Sequence, residues 1–395
     1  MNGFLNALWV GLLFVACSTA PEAHDAPDTE AVDAHVMETK NDDSSAPGDD
    51  IGDTDDAVDV TLPPRRPVTP VPCVNFTPDA DDPSAALFAP ECVIDVHVTI
   101  SPKDWNTLRQ QTRTFVDIVR DDCHAEPYAD VFTWFEADVT VSGQKVSGVG
   151  IRKKGFLGSL SADKPSLKIR FDKYVDGQRL AALSRMTLNN MLQDPSLINA
   201  CLGYAVMAKA GLPAPRCNFA RVFVNEVDLG IYAHVDSIKK PFLARHFESD
   251  EGNLYEATLS DFRPTFRGTW EKKTNKLADD WSDLDAAVTA LTATDEDLMG
   301  ALDAIFDLDA FYTFWATEVL IGHWDGYAGN LNNTYLYADP SDGRFRFIPW
   351  GVDSAPAKAQ KQREAQLPRR DAAGRKAPPD PHAPKWPGGG YFLFM

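Results

Sequence analysis

Three polar residues near the end of the chain have the types and the spacing that phosphoryl transfer to a hydroxyl group requires. Asp325 and Asn330 lie five residues apart in HWDGYAGNLNN, and Asp353 ends FRFIPWGVD, 28 residues after Asp325. One carboxylate can orient an attacking hydroxyl and accept its proton. An amide oxygen and a second carboxylate are ligands that Mg²⁺ accepts while it holds phosphates. The sequence therefore contains the groups that magnesium-dependent phosphoryl transfer needs.

The interval of five residues also separates Asp from Asn in the catalytic loop of protein kinases, whose metal-binding Asp follows on the next hairpin. The motifs themselves differ, since HWD stands in place of HRD and GVD in place of DFG. A turn-rich loop between a helix and a hairpin contains Asp and Asn for structural reasons as well. The spacing alone therefore leaves a structural interpretation open.

Hydrophobic patterns place most strands before most helices. Strands are predicted in CVIDVHVTI, as a hairpin in WFEADVTVSGQKVSGVGIRKKG, in PSLKIRFDKY, and as a second hairpin around Asn225 to Asp228. Helices are predicted after the capping residue Ser101, from Asp194 to a stop at Gly211, and through the apolar runs that precede HWD. Because strands and helices do not alternate, we expect an α+β fold with separate lobes rather than a doubly wound sheet.

Five segments, taken in order, closely resemble the CotH family of spore-coat-protein-H kinases and their bacterial surface relatives. They are GVGIRKKGFLGSLSADKPSLKIRF, TLNNMLQDPSLINACLGYAVMAKAGLPAPRCNFARVFVNEVDLGIYAHVD, FLARHFESDEGNLYEA, HWDGYAGNLNNTYLY and FRFIPWGVD. The resemblance covers roughly residues 92–353. It implies an atypical protein-kinase-like fold with a β-rich N-terminal lobe and a helical C-terminal lobe. It also implies ATP and magnesium (or manganese) as ligands, and phosphorylation of Ser or Thr on proteins outside the cytoplasm.

The resemblance assigns roles to the polar residues of the loop and the strand end. Asp325 would be the catalytic base, and Asp353 would bind magnesium. Asn330 would be the second metal ligand, with Asn332 and Asn333 as nearby competitors.

A lysine that binds the nucleotide phosphates is expected on the early strands. Lys168 is the first candidate, because it projects opposite the apolar residues Leu167 and Ile169 of its strand, where an ammonium could neutralise phosphate charge. Lys154 and Arg152 are the alternatives. A solvated strand face is the structural interpretation for each of them.

Two departures from the family pattern bear on activity. Asp236 stands where the family usually carries a Glu that would pair with the phosphate-binding lysine, so we include Asp236 among the cofactor-binding candidates. The segment 354–395 holds eight Lys and Arg against three acids, unlike the acidic body. It is either a shifted or truncated reading frame, which would leave the C-terminal lobe incomplete, or a basic tail that contacts the anionic envelope.

The N-terminus predicts export. Residues 1–20, MNGFLNALWVGLLFVACSTA, hold a short apolar run that ends in small residues, as in a signal peptide. FVAC resembles a lipobox with Cys17 as the lipidated residue, and cleavage after Ala20 is the alternative. Residues 21–70 are polar and acidic with almost no aromatics, which predicts a disordered tether before a kinase-like domain at 71–353. We expect a protein of the cell envelope, lipid-anchored and facing outside the cytoplasm, or otherwise secreted.

Charge and cysteines narrow the partners. The net charge is −20, and residues 21–60 alone hold fourteen acids against one Lys, so no nucleic-acid partner is expected. The expected partners are an envelope or surface protein substrate and, through the lipid anchor, the membrane. An exported chain permits disulfides, and sequence proximity suggests the pairs Cys73–Cys92 and Cys201–Cys217 with Cys123 left over.

The neighbours of the two aspartates are predicted to act structurally. His323 would be a hydrogen-bonded core histidine that supports the loop. Trp324 and Trp350 flank the two aspartates and would fix the loops by packing, with adenine stacking as the alternative. Asn189, Asn190 and Asp194 would form a helix cap and a loop that bridges the lobes, with direct ligand contact as the alternative.

Two other functions compete with an exported protein kinase. One is a non-catalytic surface adhesion or binding module on the same scaffold, which Asp236 and the unusual tail would suit. The other is a metal-dependent hydrolase that uses the same aspartates, although such a site normally has more His or carboxylate ligands.

Overall fold

The protein has a mixed α/β fold in which a barrel of strands precedes a smaller sheet with helices. The computed structural model describes residues 81–91, 93–114, 126–156, 158–294 and 296–354, which all belong to one compact unit. The predicted signal peptide with Cys17, the tether, the pair Cys73–Cys92, Cys123 and the tail after Ser354 lie outside these residues.

Seven of the described strands close into a barrel in the order β1-β2-β3-β4-β5-β7-β6. The strands are β1 (Val93–Thr99), β2 (Phe135–Val141), β3 (Gln144–Lys154), β4 (Ser166–Arg170), β5 (Arg185–Asn189), β6 (Cys217–Val224) and β7 (Val227–Val235). Neighbours pair antiparallel except for β1 with β6, which pair in parallel. Leu167 and Ile169 on β4 are fully buried in the core, while Lys168 and Arg170 are half-buried on the opposite face, as the alternation predicted.

A four-stranded antiparallel sheet with the order β11-β10-β8-β9 follows the barrel. Its strands are β8 (Leu254–Ala257), β9 (Glu271–Lys272), β10 (Thr334–Ala338) and β11 (Phe345–Pro349). The helices of this half are α4 (Ser282–Ala290), α5 (Leu298–Ile305), α6 (Leu308–Ile321) and α7 (Tyr327–Asn330). Phe347 on β11 packs against α6, and its ring centroid lies 5.4 Å from that of Phe314. The α+β class is confirmed, but the second half of the fold contains a sheet as well as helices. Strands β8 and β9 were not predicted because strands this short leave no periodicity in the sequence.

The remaining helices are α1 (Pro102–Gln110), α2 (Asn199–Lys209) and α3 (Lys240–His246). Helix α1 begins as predicted, with Ser101 Oγ accepting the N–H of Asp104 at 3.0 Å. Helix α2 begins later than predicted, because the chain makes a turn after Asp194 first. Asp194 Oδ2 nevertheless accepts the N–H of Asn199 at 2.7 Å, so it satisfies a first-turn donor from five residues upstream.

A disulfide between Cys201 and Cys217 joins α2 to β6, which confirms that predicted pair. Within the described ranges, every helix is too short or too polar to cross a lipid bilayer.

Candidate active site

The loop between α6 and β10 holds Asp325 among three asparagine amides. Helix α6 ends at Gly322, whose φ of 67° lies in the left-handed region, and the chain then turns back towards the helix. Asp325 is half-buried. Its Oδ1 accepts hydrogen bonds from Asn330 Nδ2 at 2.7 Å and from Asn332 Nδ2 at 3.3 Å, and its Oδ2 accepts one from Asn333 Nδ2 at 2.9 Å. Three amide donors therefore fix the orientation of this carboxylate.

Glu318, a buried acid on α6, accepts hydrogen bonds from the backbone of the same loop. It is 1% exposed, its Oε2 accepts the N–H of Ala328 at 2.7 Å, and its Oε1 accepts the N–H of Tyr327 at 3.3 Å. These are the first donors of α7, so the carboxylate serves as the N-terminal cap of that helix. Gly326 is required here, because a Cβ would lie 2.4 Å from both Glu318 Oε1 and His323 Nδ1.

The backbone of Gly351 joins this loop to the short turn Val352–Ser354, which carries Asp353. His323 Nε2 lies 3.1 Å from the carbonyl oxygen of Gly351, and the Gly351 N–H donates to the hydroxyl of Tyr204 on α2 at 3.0 Å. A Cβ on Gly351 would lie 2.4 Å from Asn333 Oδ1, so this asparagine touches both aspartate-bearing segments. His323 is 2% exposed and is confirmed as a hydrogen-bonded core histidine that supports the loop.

Asp353 lies close enough to Asp325 and Lys154 for their charges to affect its ionisation. Burial raises the pKa of Asp353, Lys154 lowers it, and the negative charge of Asp325 raises it again. A nearby cation would stabilise the charged form of Asp353 beside a second carboxylate. The structure thus brings Asp325 into contact with Asn330 and close to Asp353, while their roles stay predictions.

Lys154, at the end of β3, is the lysine beside Asp353. Its Nζ donates a hydrogen bond to Asn189 Oδ1 and lies 5.8 Å from the centroid of the Trp350 ring. Burial lowers the pKa of Lys154 to about 8, and the negative charges of Asp353 and Glu256 oppose this shift. Asn189 is therefore a direct partner of a candidate site residue rather than only a loop bridge.

Lys168 lies one strand away on β4, paired with Arg152 on β3 and with Thr187 on β5. Burial lowers the pKa of Lys168 to about 7, Glu256 opposes the shift, and the positive charges of Arg152 and Lys239 add to it. A solvated strand face therefore does not describe this lysine.

Glu256 on β8 is the acidic neighbour of Lys168, and sequence analysis missed it. Burial acts to raise the pKa of Glu256, but Lys273 and Lys168 lower it to about 2. Lys273 forms ion pairs with Glu256 and, at 2.6 Å, with Glu271. The signal in the sequence is a lone charged residue in the strand LYEA, whose other three residues are buried.

The side chain of Arg152 contacts residues other than the two aspartates. Its guanidinium pairs with Asp130 and lies 4.9 Å from the centroid of the Trp134 ring. Of the three basic candidates, Lys154 and Lys168 thus have the contacts and environment expected of phosphate-binding residues.

The predicted pairing of Asp236 with the phosphate-binding lysine is wrong. Asp236 is 4% exposed, and its Oδ2 accepts a hydrogen bond from Arg216 Nε at 3.0 Å and another from Arg245. Two guanidinium groups neutralise this carboxylate. Its surroundings are those of a structural ion-pair network.

Trp350 packs against an aromatic ring from β10 and another from α2. Its ring centroid lies 5.7 Å from that of Tyr335 and 6.5 Å from that of Tyr204. These contacts confirm the packing role predicted for Trp350.

A separate surface cavity lies where the end of α2 meets the start of α6. It is lined by acidic and apolar groups that include Leu212, Asp303, Asp309 and Arg344, and it shares no residue with the candidate site.

The chain belongs to the CotH kinase protein family, whose match covers residues 151–386, more than half of the chain. This confirms the family resemblance found in the sequence.

Three relatives illustrate the range of similar proteins. Inner spore coat protein H of Bacillus subtilis (strain 168) is 26% identical over 178 residues, which are 42% of this chain and 48% of that protein. Spore coat protein homolog 1 of Rhizopus delemar is 25% identical over 177 residues, 42% of this chain and 29% of that protein. Invasin CotH3 of the same fungus is 28% identical over 171 residues, 39% of this chain and 28% of that protein. The chain thus matches about half the length of the bacterial relative and under a third of the fungal ones.

Proposed function

We propose that this protein is an atypical protein kinase that transfers the γ-phosphate of ATP to Ser or Thr side chains of envelope or surface proteins. The observation that supports this most directly is the juxtaposition of Asp325, held by three asparagine amides, with Asp353, linked to it through Gly351. The kinase-like arrangement of two lobes is part of the proposal.

Asp325 would act as the base. Its two oxygens are held by Asn330, Asn332 and Asn333, so the carboxylate is oriented before an acceptor arrives. Pre-orientation matters because a general base must lie within hydrogen-bond reach of the hydroxyl proton that it accepts. A fixed carboxylate can meet this demand without losing side-chain entropy in the reaction.

The donor chemistry around Asp353 fits a hard divalent cation. Among the described residues no three His, Cys, Asp or Glu side chains gather in a ready metal cluster. Protein ligands in addition to Asp353 would therefore be amide oxygens, with Asn330 first, a combination that suits Mg²⁺ or Mn²⁺. Bound magnesium would neutralise triphosphate charge, and the raised pKa of Asp353 would then fall as its charge is balanced.

Lys154 and Lys168 would bind phosphate oxygens of the nucleotide. Both are buried enough for their pKa values to fall to about 8 and about 7, so an anion nearby would restore their full positive charge. Glu256 would hold Lys168 in place in the absence of nucleotide.

A location outside the cytoplasm belongs to the same proposal. The disulfide between Cys201 and Cys217 is expected of an oxidising compartment, and the N-terminal FVAC would supply a lipid anchor at Cys17. The names of the relatives, a spore coat protein and invasins, suit a surface location for this chain as well. Metabolic labelling with a radioactive fatty acid should mark the wild type and not Cys17→Ser.

The direct test is phosphate transfer from γ-labelled ATP to envelope proteins in the presence of Mg²⁺ or Mn²⁺. Asp325→Ala should reduce incorporation by about 10²–10⁴-fold, the range that general-base catalysis supplies. Asp309→Ala is the matched control, because Asp309 is exposed in the first turn of α6 and outside the site. Equal incorporation by wild type and Asp325→Ala would reject the assignment.

A surface-binding module without catalysis is the second candidate, and the similarity to proteins named invasins favours it. Calorimetry separates the two functions, since a binding module needs no nucleotide. Absence of ATP binding with either metal would support the module.

A further inference from the structure

We propose that Glu318 and His323 are positioning residues that set the separation of Asp353 from the loop that carries Asp325 and Asn330, and so determine how tightly the site binds a metal ion. This inference rests on the proposed function only in naming Asp353 and Asn330 as metal-binding groups. Neither Glu318 nor His323 would touch the ion or the nucleotide.

The first observation is an unbroken chain of contacts through the protein interior. Glu318 Oε1 lies 3.1 Å from His323 Nδ1, and His323 Nε2 lies 3.1 Å from the carbonyl oxygen of Gly351. Both side chains are fully buried. The two imidazole nitrogens therefore connect α6 with the backbone two residues before Asp353.

The second observation is that Glu318 also holds the other side of the site. Its two oxygens accept the N–H groups of Tyr327 and Ala328, which begin the short helix that carries Asn330. Asn330 in turn donates to Asp325 Oδ1 at 2.7 Å. One carboxylate thus fixes the supports of both aspartates.

The third observation is that this region has little room for alternative positions. A Cβ at Gly326 would meet Glu318 Oε1 and His323 Nδ1 at 2.4 Å, and one at Gly329 would meet the carbonyl oxygen of Trp324 at 2.3 Å. Buried polar groups held at such close quarters keep one arrangement, because any other leaves them without partners. We infer that losing the imidazole would let the Asp353 turn move relative to Asp325.

The test uses the full chain and two probes that do not require catalysis. Tb³⁺ luminescence sensitised by nearby tryptophan reports binding of a hard cation alone, and calorimetry with Mn²⁺ and ATP reports the loaded site. His323→Leu should weaken Tb³⁺ binding about tenfold, within the range seen when a group that orients metal ligands is lost. His323→Gln, which keeps a donor able to reach Gly351, should recover part of the affinity.

His234→Leu is the matched control for a merely structural effect. His234 is also fully buried, lies on β7 with Nδ1 3.2 Å from the carbonyl oxygen of Leu87, and stacks on Phe88 with ring centroids 4.4 Å apart. It should lower the melting temperature as His323→Leu does, yet leave Tb³⁺ affinity within about twofold. Affinities are compared per folded molecule, with the folded fraction taken from circular dichroism.

The outcomes separate this inference from the proposed function. If His323→Leu and wild type bind Tb³⁺ equally, or wild type binds none, the positioning role is rejected. If wild type binds Tb³⁺, His323→Leu weakens it, and no phosphate transfer occurs with any acceptor, the kinase proposal fails while the positioning role stands. Glu318→Gln, which removes one acceptor at constant size, should weaken Tb³⁺ binding in the same direction.

Discussion

Replacing Gly351 by alanine tests whether the two aspartate segments are coupled through one asparagine. The φ of Gly351 is +59°, so alanine there costs about 1–2 kcal/mol from the left-handed backbone alone. Its Cβ would also lie 2.4 Å from Asn333 Oδ1, which forces that side chain to move. Asn333 donates to Asp325 Oδ2 at 2.9 Å, and a hydrogen bond to a charged group contributes about 1.5–3 kcal/mol. We therefore expect Gly351→Ala to lose about 2.5–5 kcal/mol of unfolding free energy.

The same change should slow phosphate transfer, because Asp325 loses one of the donors that orient it. A loss of 1.4–2.8 kcal/mol in transition-state stabilisation corresponds to about 10–100-fold in rate. Gly343→Ala is the matched control, since Gly343 has a φ of +74° and nothing within 4 Å of the added Cβ. It should lose only the backbone contribution and keep full activity. Urea unfolding and initial-rate assays on both variants decide the matter, and equal losses in the two variants would refute the coupling through Asn333.

Three further predictions follow from the charges and the disulfide. Burial lowers the pKa of Lys154 to about 8 and that of Lys168 to about 7, and a bound polyphosphate would raise both, so nucleotide binding should take up protons and weaken between pH 7 and 9. Calorimetry in buffers of different ionisation enthalpy measures the uptake, and an affinity independent of pH would contradict it. Burial raises the pKa of Asp236, which offsets part of what its ion pairs with the half-buried Arg216 and Arg245 contribute. Asp236→Asn should therefore lower the unfolding free energy by only about 1 kcal/mol, the contribution of a typical hydrogen bond, with the nucleotide affinity of the folded fraction unchanged. If the same calorimetry shows that Asp236→Asn weakens nucleotide binding, Asp236 belongs to the nucleotide site. The double change Cys201→Ser and Cys217→Ser should cost about 3 kcal/mol in urea unfolding, given a separation of 16 residues, and no loss would show that the cross-link is dispensable.

The elements with strong local signals were predictable from the sequence. Ser101 caps α1 as expected, and the Asn225–Glu226 turn joins β6 to β7, because capping and turn chemistry act within a few residues. The loop around Asp325 was found for the same reason. Its Asp, Gly and Asn residues are close in the chain, and the structure uses each of them locally.

The partners of charged residues were not predictable, because they come from distant segments. Asp236 was expected to meet a lysine, yet its arginine partners lie 20 residues before it and 9 residues after it. Glu256 reaches Lys168 across the boundary between the second sheet and the barrel, which no pattern along either strand reveals. The sequence does not distinguish Glu318 from other helix residues, because the N–H groups of α7 that it accepts come from a later segment that folds back onto α6.

The ionisation of Asp353 provides a test of function through stability. Burial raises its pKa above the ordinary value of 3.8, so the folded state resists ionisation of this group. The resulting cost grows as pH rises from 3.8 through the raised pKa and is fully present above it. Asp353→Asn removes the charge, so in EDTA at pH 7 it should raise the melting temperature.

Asp342→Asn should do the opposite. Burial acts to raise the pKa of Asp342, but Arg346 and Arg344 lower it to about 2, so the charged form of Asp342 stabilises the fold. With Mn²⁺ and ATP, wild type should melt above Asp353→Asn, because wild type gains stability from the bound ligand and Asp353→Asn gains much less. Differential scanning fluorimetry with and without the ligands measures both effects. If Asp353→Asn melts below wild type in EDTA, the carboxylate is a structural group, and a metal-binding role for Asp353 is wrong.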